Sequence, residues 1–220
     1  MDRFGYIKCI DENTYQRNLE TVKEENKFIV LCKNTGKICM FTDIGQLHTV
    51  KVSDIPMGKL KDKGIPVDNI SSYSSKNEQI LMVSSQSDLN LYRLVFVTKN
   101  ALCKIVSGGE FDVSRRVIAS TKLNEGDAVA SVAVLKETKN MVLVSNDGFF
   151  IRFPIEELSE FKKTSAGVRG MKLSDGAEVE AVYFENIDSP SSFTFRDKEI
   201  EFSKIKLSKR DGKGTKLRLG

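Results

Sequence analysis

An all-β fold built from four-stranded blades repeated radially is what these 220 residues predict. Three observations carry the expectation. Hairpin-like segments recur along the chain, a glycine-marked half-unit returns at an offset of fifty residues, and no helical stripe outlasts two turns.

The hairpins come first. Phe41-Thr42-Asp43-Ile44-Gly45-Gln46-Leu47 aligns with Val97-Thr98-Lys99-Asn100-Ala101-Leu102-Cys103 and with Val144-Ser145-Asn146-Asp147-Gly148-Phe149-Phe150. Each is a β-rich run, a Thr or Ser, a polar pair, a Gly or Ala, and a second alternating run. Small residues at such turns tolerate unusual φ. Asp2-Arg3-Phe4-Gly5-Tyr6-Ile7 reads as the same hairpin with its first strand missing.

The half-unit follows. Lys122-Leu123-Asn124-Glu125-Gly126-Asp127 and onward to Val132 matches Lys172-Leu173-Ser174-Asp175-Gly176-Ala177 and onward to Val182. A weaker copy runs from Gly64-Ile65-Pro66-Val67 through Ile70 to Ile80–Val83. Apolar residues after each glycine alternate, as a half-buried strand requires. Ile155–Leu158 is at most one helical turn.

Each unit is therefore about four strands long, with a period of roughly 40–55 residues. Full units are expected at approximately 27–83, 92–135 and 140–184, with partial units at 1–20 and 192–220 that complete a terminal blade. A blade cannot bury both faces alone, so residues 1–220 are expected to form one domain of about four to five blades. Phe41, Phe96, Phe153 and Phe202 read as blade core on strands.

Composition excludes several classes. With 40% hydrophobic and 29% charged residues the chain is not disordered, and its apolar runs, such as Leu94–Val97, are too short to span a bilayer. Met-Asp-Arg-Phe-Gly offers no apolar core for a secretory signal. Cys9, Cys32, Cys39 and Cys103 contain no CxxC pair, and the single His48 completes no zinc set, so reduced cysteines filling strands are expected. The balance of 34 basic against 30 acidic residues, net +4, names no partner by itself.

The units resemble those of the C-terminal domain of type IIA DNA topoisomerase A subunits, gyrase and topoisomerase IV. The matching stretches are Asp2–Lys8, Phe41–Gly45 leading to Asp54-Ile55-Pro56, Lys63–Ile70, and Gly167-Val168-Arg169-Gly170-Met171-Lys172-Leu173. The resemblance covers nearly the whole chain. It implies a β-pinwheel, a propeller-like ring in which neighbouring blades exchange a strand. It implies duplex DNA bent or wrapped around a basic rim and presented for ATP-dependent strand passage. It further implies no catalysis in this region, no cofactor and no metal, since the catalytic groups lie elsewhere in the enzyme. Its partners would be double-stranded DNA, read without sequence preference, the rest of the A subunit and the ATPase B subunit. The isolated domain would be monomeric and the enzyme cytoplasmic, on the nucleoid.

One departure stands out. Gyrase carries a basic, glycine-rich box after its first strand pair, whereas Tyr15-Gln16-Arg17-Asn18-Leu19-Glu20 has no glycine. A looser version, Ser208-Lys209-Arg210-Asp211-Gly212-Lys213-Gly214, occurs near the other end, with Asp211 where a neutral or basic residue is expected. The first absence leans towards topoisomerase IV; the near-box keeps gyrase-like wrapping open.

The residues themselves support DNA binding. Phosphate affinity needs Lys and Arg on exposed segments, where contacts release counterions, and glycine-rich loops add backbone amides. Lys59, Lys61 and Lys63 stand beside Gly58 and Gly64. Arg115 and Arg116 follow Gly108-Gly109; Lys162 and Lys163 precede Gly167, Arg169 and Gly170. Lys209, Arg210, Lys213 and Lys216 belong to a basic tail from Lys204 to Arg218. All fall between the halves of a unit, while acids such as Glu125, Asp127, Asp175 and Glu178 recur in turns. Surface lysines are usually just solvated, so the shared phase, not any single cluster, carries the reading.

Other chemistries lack their parts. There is no tryptophan and no aromatic-rich strand for stacking single strands, and no helix for the major groove. His48, on the strand face opposite Leu47, has no GxSxG-type nucleophile to serve, and reads as a surface or blade-face residue. The glycine runs lack P-loop spacing. The rival to a DNA-binding module is a propeller-like protein-interaction scaffold, told apart by an apolar or mixed rim in place of a positive one.

Overall fold

The apolar runs become strands in the computed structural model, which describes residues 1–188 and 190–217. Arg218, at the end of the basic tail, lies outside the described residues. In chain order the first strands are β1 (Tyr6–Ile7), β2 (Lys37–Thr42), β3 (Gln46–Lys51), β4 (Ile65–Pro66), β5 (Ile80–Ser85), β6 (Arg93–Thr98), β7 (Leu102–Ser107) and β8 (Val117–Ala119). Then come β9 (Val129–Leu135), β10 (Thr138–Ser145), β11 (Phe149–Pro154), β12 (Val168–Arg169), β13 (Val179–Asn186), β14 (Ser192–Phe195), β15 (Lys198–Glu201) and β16 (Thr215–Lys216). Among the described residues three short α-helices interrupt them: α1 (Glu12–Arg17), α2 (Leu19–Glu25) and α3 (Gln86–Leu89).

Pairing obeys one rule. Each hairpin is followed by a strand that crosses to the second strand of the preceding hairpin, and then by one that returns to its own first strand. Thus β4 pairs with β1 and β5 with β2; β8 pairs with β3 and β9 with β6. Likewise β12 pairs with β7, β13 with β10, and β16 with β11. The outcome is three four-stranded antiparallel sheets, β5-β2-β3-β8, β9-β6-β7-β12 and β13-β10-β11-β16, and two-stranded sheets β1-β4 and β14-β15. The crossing strands are only two or three residues long, so each exchange is brief.

The repeat extends to its irregularities. A register shift interrupts the inner pairing at Phe41/Thr42, Val97/Thr98 and Val144/Ser145, the same place in each hairpin. The following turn holds Gly45, Ala101 or Gly148 at positive φ, and Ala101 accepts +61° as a non-glycine. In the β14–β15 hairpin, Arg196 and Asp197 are both at positive φ, the two-residue turn that suits strand twist.

The chain divides into two compact units, Met1–Leu91 with Phe111–Ser120, and Tyr92–Glu110 with Thr121–Gly220. The first strand of each full hairpin is buried on both faces, which explains the unbroken apolar runs Ile38–Phe41, Leu94–Val97 and Met141–Val144. The first unit packs Ile7, Ile38, Met40, Val50, Ile55 and Val67 together. Phe41 meets Phe111 edge-on at 5.0 Å. In the second unit one cluster centres on Val95, Cys103, Leu143 and Phe153, and another on Phe150, Phe193, Phe195 and Phe202. Phe202 is core but opens a 3-10 turn (Phe202–Lys204), where the sequence pattern placed it on a strand.

Residues 1–20 differ from the expected partial hairpin after Ile7. Asp2 does close the truncated turn, its carboxylate accepting from the amides of Phe4 (2.8 Å) and Tyr6 (3.0 Å). Beyond it lie α1, capped by Asp11 on the Thr14 amide at 2.9 Å, and α2. Tyr15–Glu20, the place of the glycine-rich box, is thus helical on either side of Asn18, which separates α1 from α2.

Candidate nucleic-acid interface

Every basic cluster singled out in the sequence lies on the segment that leads into a crossing strand, with Arg169 and Lys216 on the crossing strands β12 and β16 themselves. Each segment starts at a buried anchor: Ile55, Phe111, Leu158 or Ile205. Each ends at β4, β8, β12 or β16. Three of these loops are of equal length, with Gly64, Gly167 and Gly214 at one register position; the loop before β8 is three residues shorter and has Val117 there.

Those three glycines are required. A Cβ on Gly64, Gly167 or Gly214 would lie 2.4, 2.5 or 2.3 Å from the carbonyl oxygen of Ile7, Cys103 or Phe150, and all three have positive φ. The loop backbone therefore lies directly against the hairpin.

Corresponding residues of the second hairpin strands anchor the loops. Cys9 accepts from the Gly58 amide and donates to Pro56, both at 2.9 Å. Ile105 accepts from Phe161 at 2.8 Å, Arg152 accepts from the Ser208 amide at 2.9 Å, and the Thr49 amide donates to Arg116 at 2.8 Å.

One residue earlier in register stand Lys8, His48, Lys104 and Ile151, and here the loops diverge. Lys8 donates from Nζ to the carbonyls of Leu60 and Asp62. Lys104 donates to those of Lys163 (2.8 Å) and Ser165 (2.6 Å). Lys104 is 1% exposed, and burial pushes its ammonium down to about 8 against the opposing pull of Glu110. The half-buried Lys8 and the buried Lys104 thus hold the backbone of the loops that carry the external lysines. Sequence reasoning missed both; the signal was a lysine inside the apolar run Leu102–Val106.

His48 instead meets Glu78, Nε2 to Oε2 at 3.0 Å, with both side chains buried. It lies on the blade face, as alternation placed it, but at 3% exposure it is core and not surface.

The expected cations divide by what already holds them. Lys59, Lys61, Lys209, Arg115 and Arg116 are exposed and form no ion pair among the described residues. Lys63 lies 4.1 Å from the Tyr6 ring centre, while Lys213 and Lys216 lie 4.7 and 4.9 Å from that of Phe149. Tyr6 and Phe149 share one register position, so the repeat places ammonium groups over a ring without neutralising them.

The others are engaged internally. Lys162 pairs with Glu110 at 2.8 Å, yet stays largely exposed. Lys163 donates from Nζ to the Glu110 carbonyl at 2.7 Å. Arg169 grips Asp211 with Nε and Nη2, the latter at 3.1 Å. Arg210 donates to the carbonyls of Glu157 (3.3 Å) and Arg169 (3.0 Å). Asp211, the acid that departs from the glycine-rich box, is therefore the counter-ion of Arg169, and that guanidinium holds its carboxyl below the usual range. Backbone bonds from Lys172 to Gly212 (2.9 Å) and Asp211 to Gly170 (2.7 Å) fix the near-box against the preceding crossing strand.

The four cysteines are free thiols; Cys39 and Cys103 are buried and pushed up to about 12. No described helix is long and apolar enough to cross a membrane.

Hairpins that exchange a strand, with a basic loop before each exchanged strand, define a propeller-type fold. A family described as "DNA gyrase C-terminal domain, beta-propeller" matches residues 92–136 and 139–184. The DNA gyrase A subunit of Helicobacter pylori (strain ATCC 700392 / 26695) is 34% identical over 184 residues, 78% of this chain and 22% of the relative. A crystal structure of the C-terminal domain of DNA topoisomerase IV superposes with a TM-score of 0.83 at 21% identity, covering 97% of this chain and 69% of that one. A DNA gyrase A C-terminal domain gives 0.61 at 20% identity, over 84% and 61%. The chain belongs to the DNA gyrase C-terminal domain family, a beta-propeller family; with the topoisomerase IV domain it shares the fold. It spans about a fifth of the length of the curated relative it matches.

Proposed function

We propose that the domain is a non-catalytic DNA-binding part of a type IIA topoisomerase. It binds duplex DNA through backbone phosphates, bends or wraps it along the basic loops, and presents a segment for ATP-dependent strand passage. The rest of the A subunit and the ATPase B subunit are its partners, on the nucleoid in the cytoplasm. The recurrence of unpaired cations before three of the four crossing strands carries the reading: Lys59 and Lys61 before β4, Arg115 and Arg116 before β8, and Lys209 before β16. Bending a site of ~20–30 bp costs on the order of 1–6 kcal/mol, which several phosphate contacts offset. Recognition is by charge and shape.

Duplex binding measured against salt tests this. Arg115→Glu with Arg116→Glu, and Lys59→Glu with Lys61→Glu, are expected to weaken binding and flatten its salt dependence without unfolding the domain. A complex indifferent to salt sinks the reading. Ligation of nicked plasmid with the domain bound then separates wrapping from bending, since only wrapping moves the linking number strongly.

A further inference from the structure

In the β2–β3 hairpin, Lys37 and Lys51 are direct cross-strand partners, so two ammonium groups share one sheet face. Like charges directly opposite each other destabilise a sheet. The corresponding pairs in the next two hairpins are Arg93 with Ser107 and Asn140 with Pro154, with at most one cation. The doubled lysine is thus peculiar to this blade, and no described acid neutralises it: neither Lys37 nor Lys51 forms an ion pair.

A cleft of about 260 Å³ opens beside this pair, within the first unit. Lys37, Lys51 and Arg116 line it together with Thr49, Ser114 and one carboxylate, Asp54. Arg116 is brought there by its backbone, whose carbonyl accepts from the Thr49 amide at 2.8 Å, while the Thr49 hydroxyl donates to Arg115 at 3.2 Å. Asp54 takes a hydroxyl bond from Ser53 at 3.4 Å and pairs with none of the three cations. Three cations face one acid.

We infer that this cleft is a phosphate-binding subsite. A guanidinium fork grips phosphate oxygens, lysines supply point charge, and the Ser114 hydroxyl can donate. A local arrangement that costs stability without a compensating contact marks a functional position. The phosphate belongs either to the DNA backbone or to a free phosphorylated ion. The continuity of Arg116 with Arg115 favours the backbone, and that choice rests on the DNA-binding reading above.

The experiment compares wild type, Lys37→Gln with Lys51→Gln, and a control, Lys76→Gln with Lys139→Gln, which removes the same charge from exposed sites elsewhere. Duplex affinity is followed against salt, and thermal midpoints are followed at low salt with and without inorganic tripolyphosphate. The cleft variant is expected to lower the salt slope by about 0.9 for each phosphate no longer engaged, beyond the control. It is also expected to melt higher than wild type in the absence of phosphate, because the repulsion has gone, and to lose the stabilisation by tripolyphosphate. A merely structural role would not move binding and stability in opposite directions. Loss of the tripolyphosphate effect with an unchanged DNA slope assigns the cleft to a free phosphorylated ion. If cleft and control variants behave alike in both arms, the proposal falls. If wild type binds no duplex, the DNA reading fails alone, and the melting arm still decides the cleft.

Discussion

The ammonium of Lys104 lies 2.6 Å from the carbonyl oxygen of Ser165, and the neighbouring carbonyl of Lys163 is 2.8 Å away. A charge from the hairpin thereby holds the loop that presents Lys162 to solvent. Lys104→Met leaves these acceptors without their donor in a buried place. Hydrogen bonds to a charged group contribute about 1.5–3 kcal/mol each, so a loss of at least ~2 kcal/mol is expected in urea unfolding. Trypsin should then cut after Lys162 or Lys163 faster than in wild type. A variant of unchanged stability and cutting rate would show that the loop holds itself.

Lys104 also gives a pH signature. Its folded value, about 8, lies below the ordinary 10.5 because burial disfavours the charged form. Between these values the unfolded chain binds more protons than the folded one, so stability rises with pH across that window. Wild type should therefore gain on Lys104→Met between pH 8 and pH 10, and the two should run parallel below pH 7. Paired urea titrations at pH 6.5, 8 and 10 measure it, and parallel curves throughout would contradict the assignment.

Asp211 restrains the near-box. It sits at φ +70°, a left-handed conformation, and pairs with Arg169 on an exposed surface. Exposed pairs contribute little, and a glycine relieves the backbone, so Asp211→Gly should leave stability almost unchanged. The same change removes a negative charge and frees Arg169 for phosphate. Duplex binding should tighten at low salt and its salt slope steepen by about 0.9 if one more phosphate is engaged. Weaker binding would mean that the Arg169–Asp211 pair itself shapes the DNA-binding loop.

Sequence legibility followed the range of the interactions. The hairpin turns at Thr42–Gly45 and Ser145–Gly148 could be read because their backbone demands small or polar residues locally. Gly167-Val168-Arg169-Gly170 stood out through the family resemblance, and the structure supplies the reason for its first residue: a Cβ on Gly167 would lie 2.5 Å from the Cys103 carbonyl oxygen. The helices α1 and α2 were not, since α1 buries no residue and α2 buries only Val22, leaving no apolar stripe. The burial of His48 depends on Glu78, thirty residues away. Similarly, the basic residues could be read as recurring before the crossing strands, but which cations stay unpaired depended on partners such as Asp211, 42 residues from Arg169.

Two classes of glycine separate backbone conformation from close approach. Gly176, at φ +73°, would place a Cβ in open space, so Gly176→Ala should cost only the left-handed penalty, ~1–2 kcal/mol. Gly167, at φ +93°, carries the same penalty, but its Cβ would also sit 2.5 Å from the Cys103 carbonyl and 3.1 Å from the Lys104 Cβ. Both neighbours are hairpin atoms with little freedom, so β12 must move away from β7. Gly167→Ala should therefore be clearly the more destabilising in urea. Hydrogen exchange at the Gly170 amide, which donates to Ala101 at 2.8 Å, should quicken selectively. Equal costs for the two substitutions would mean that the crossing strand tolerates displacement, and that loop geometry does not depend on this close approach.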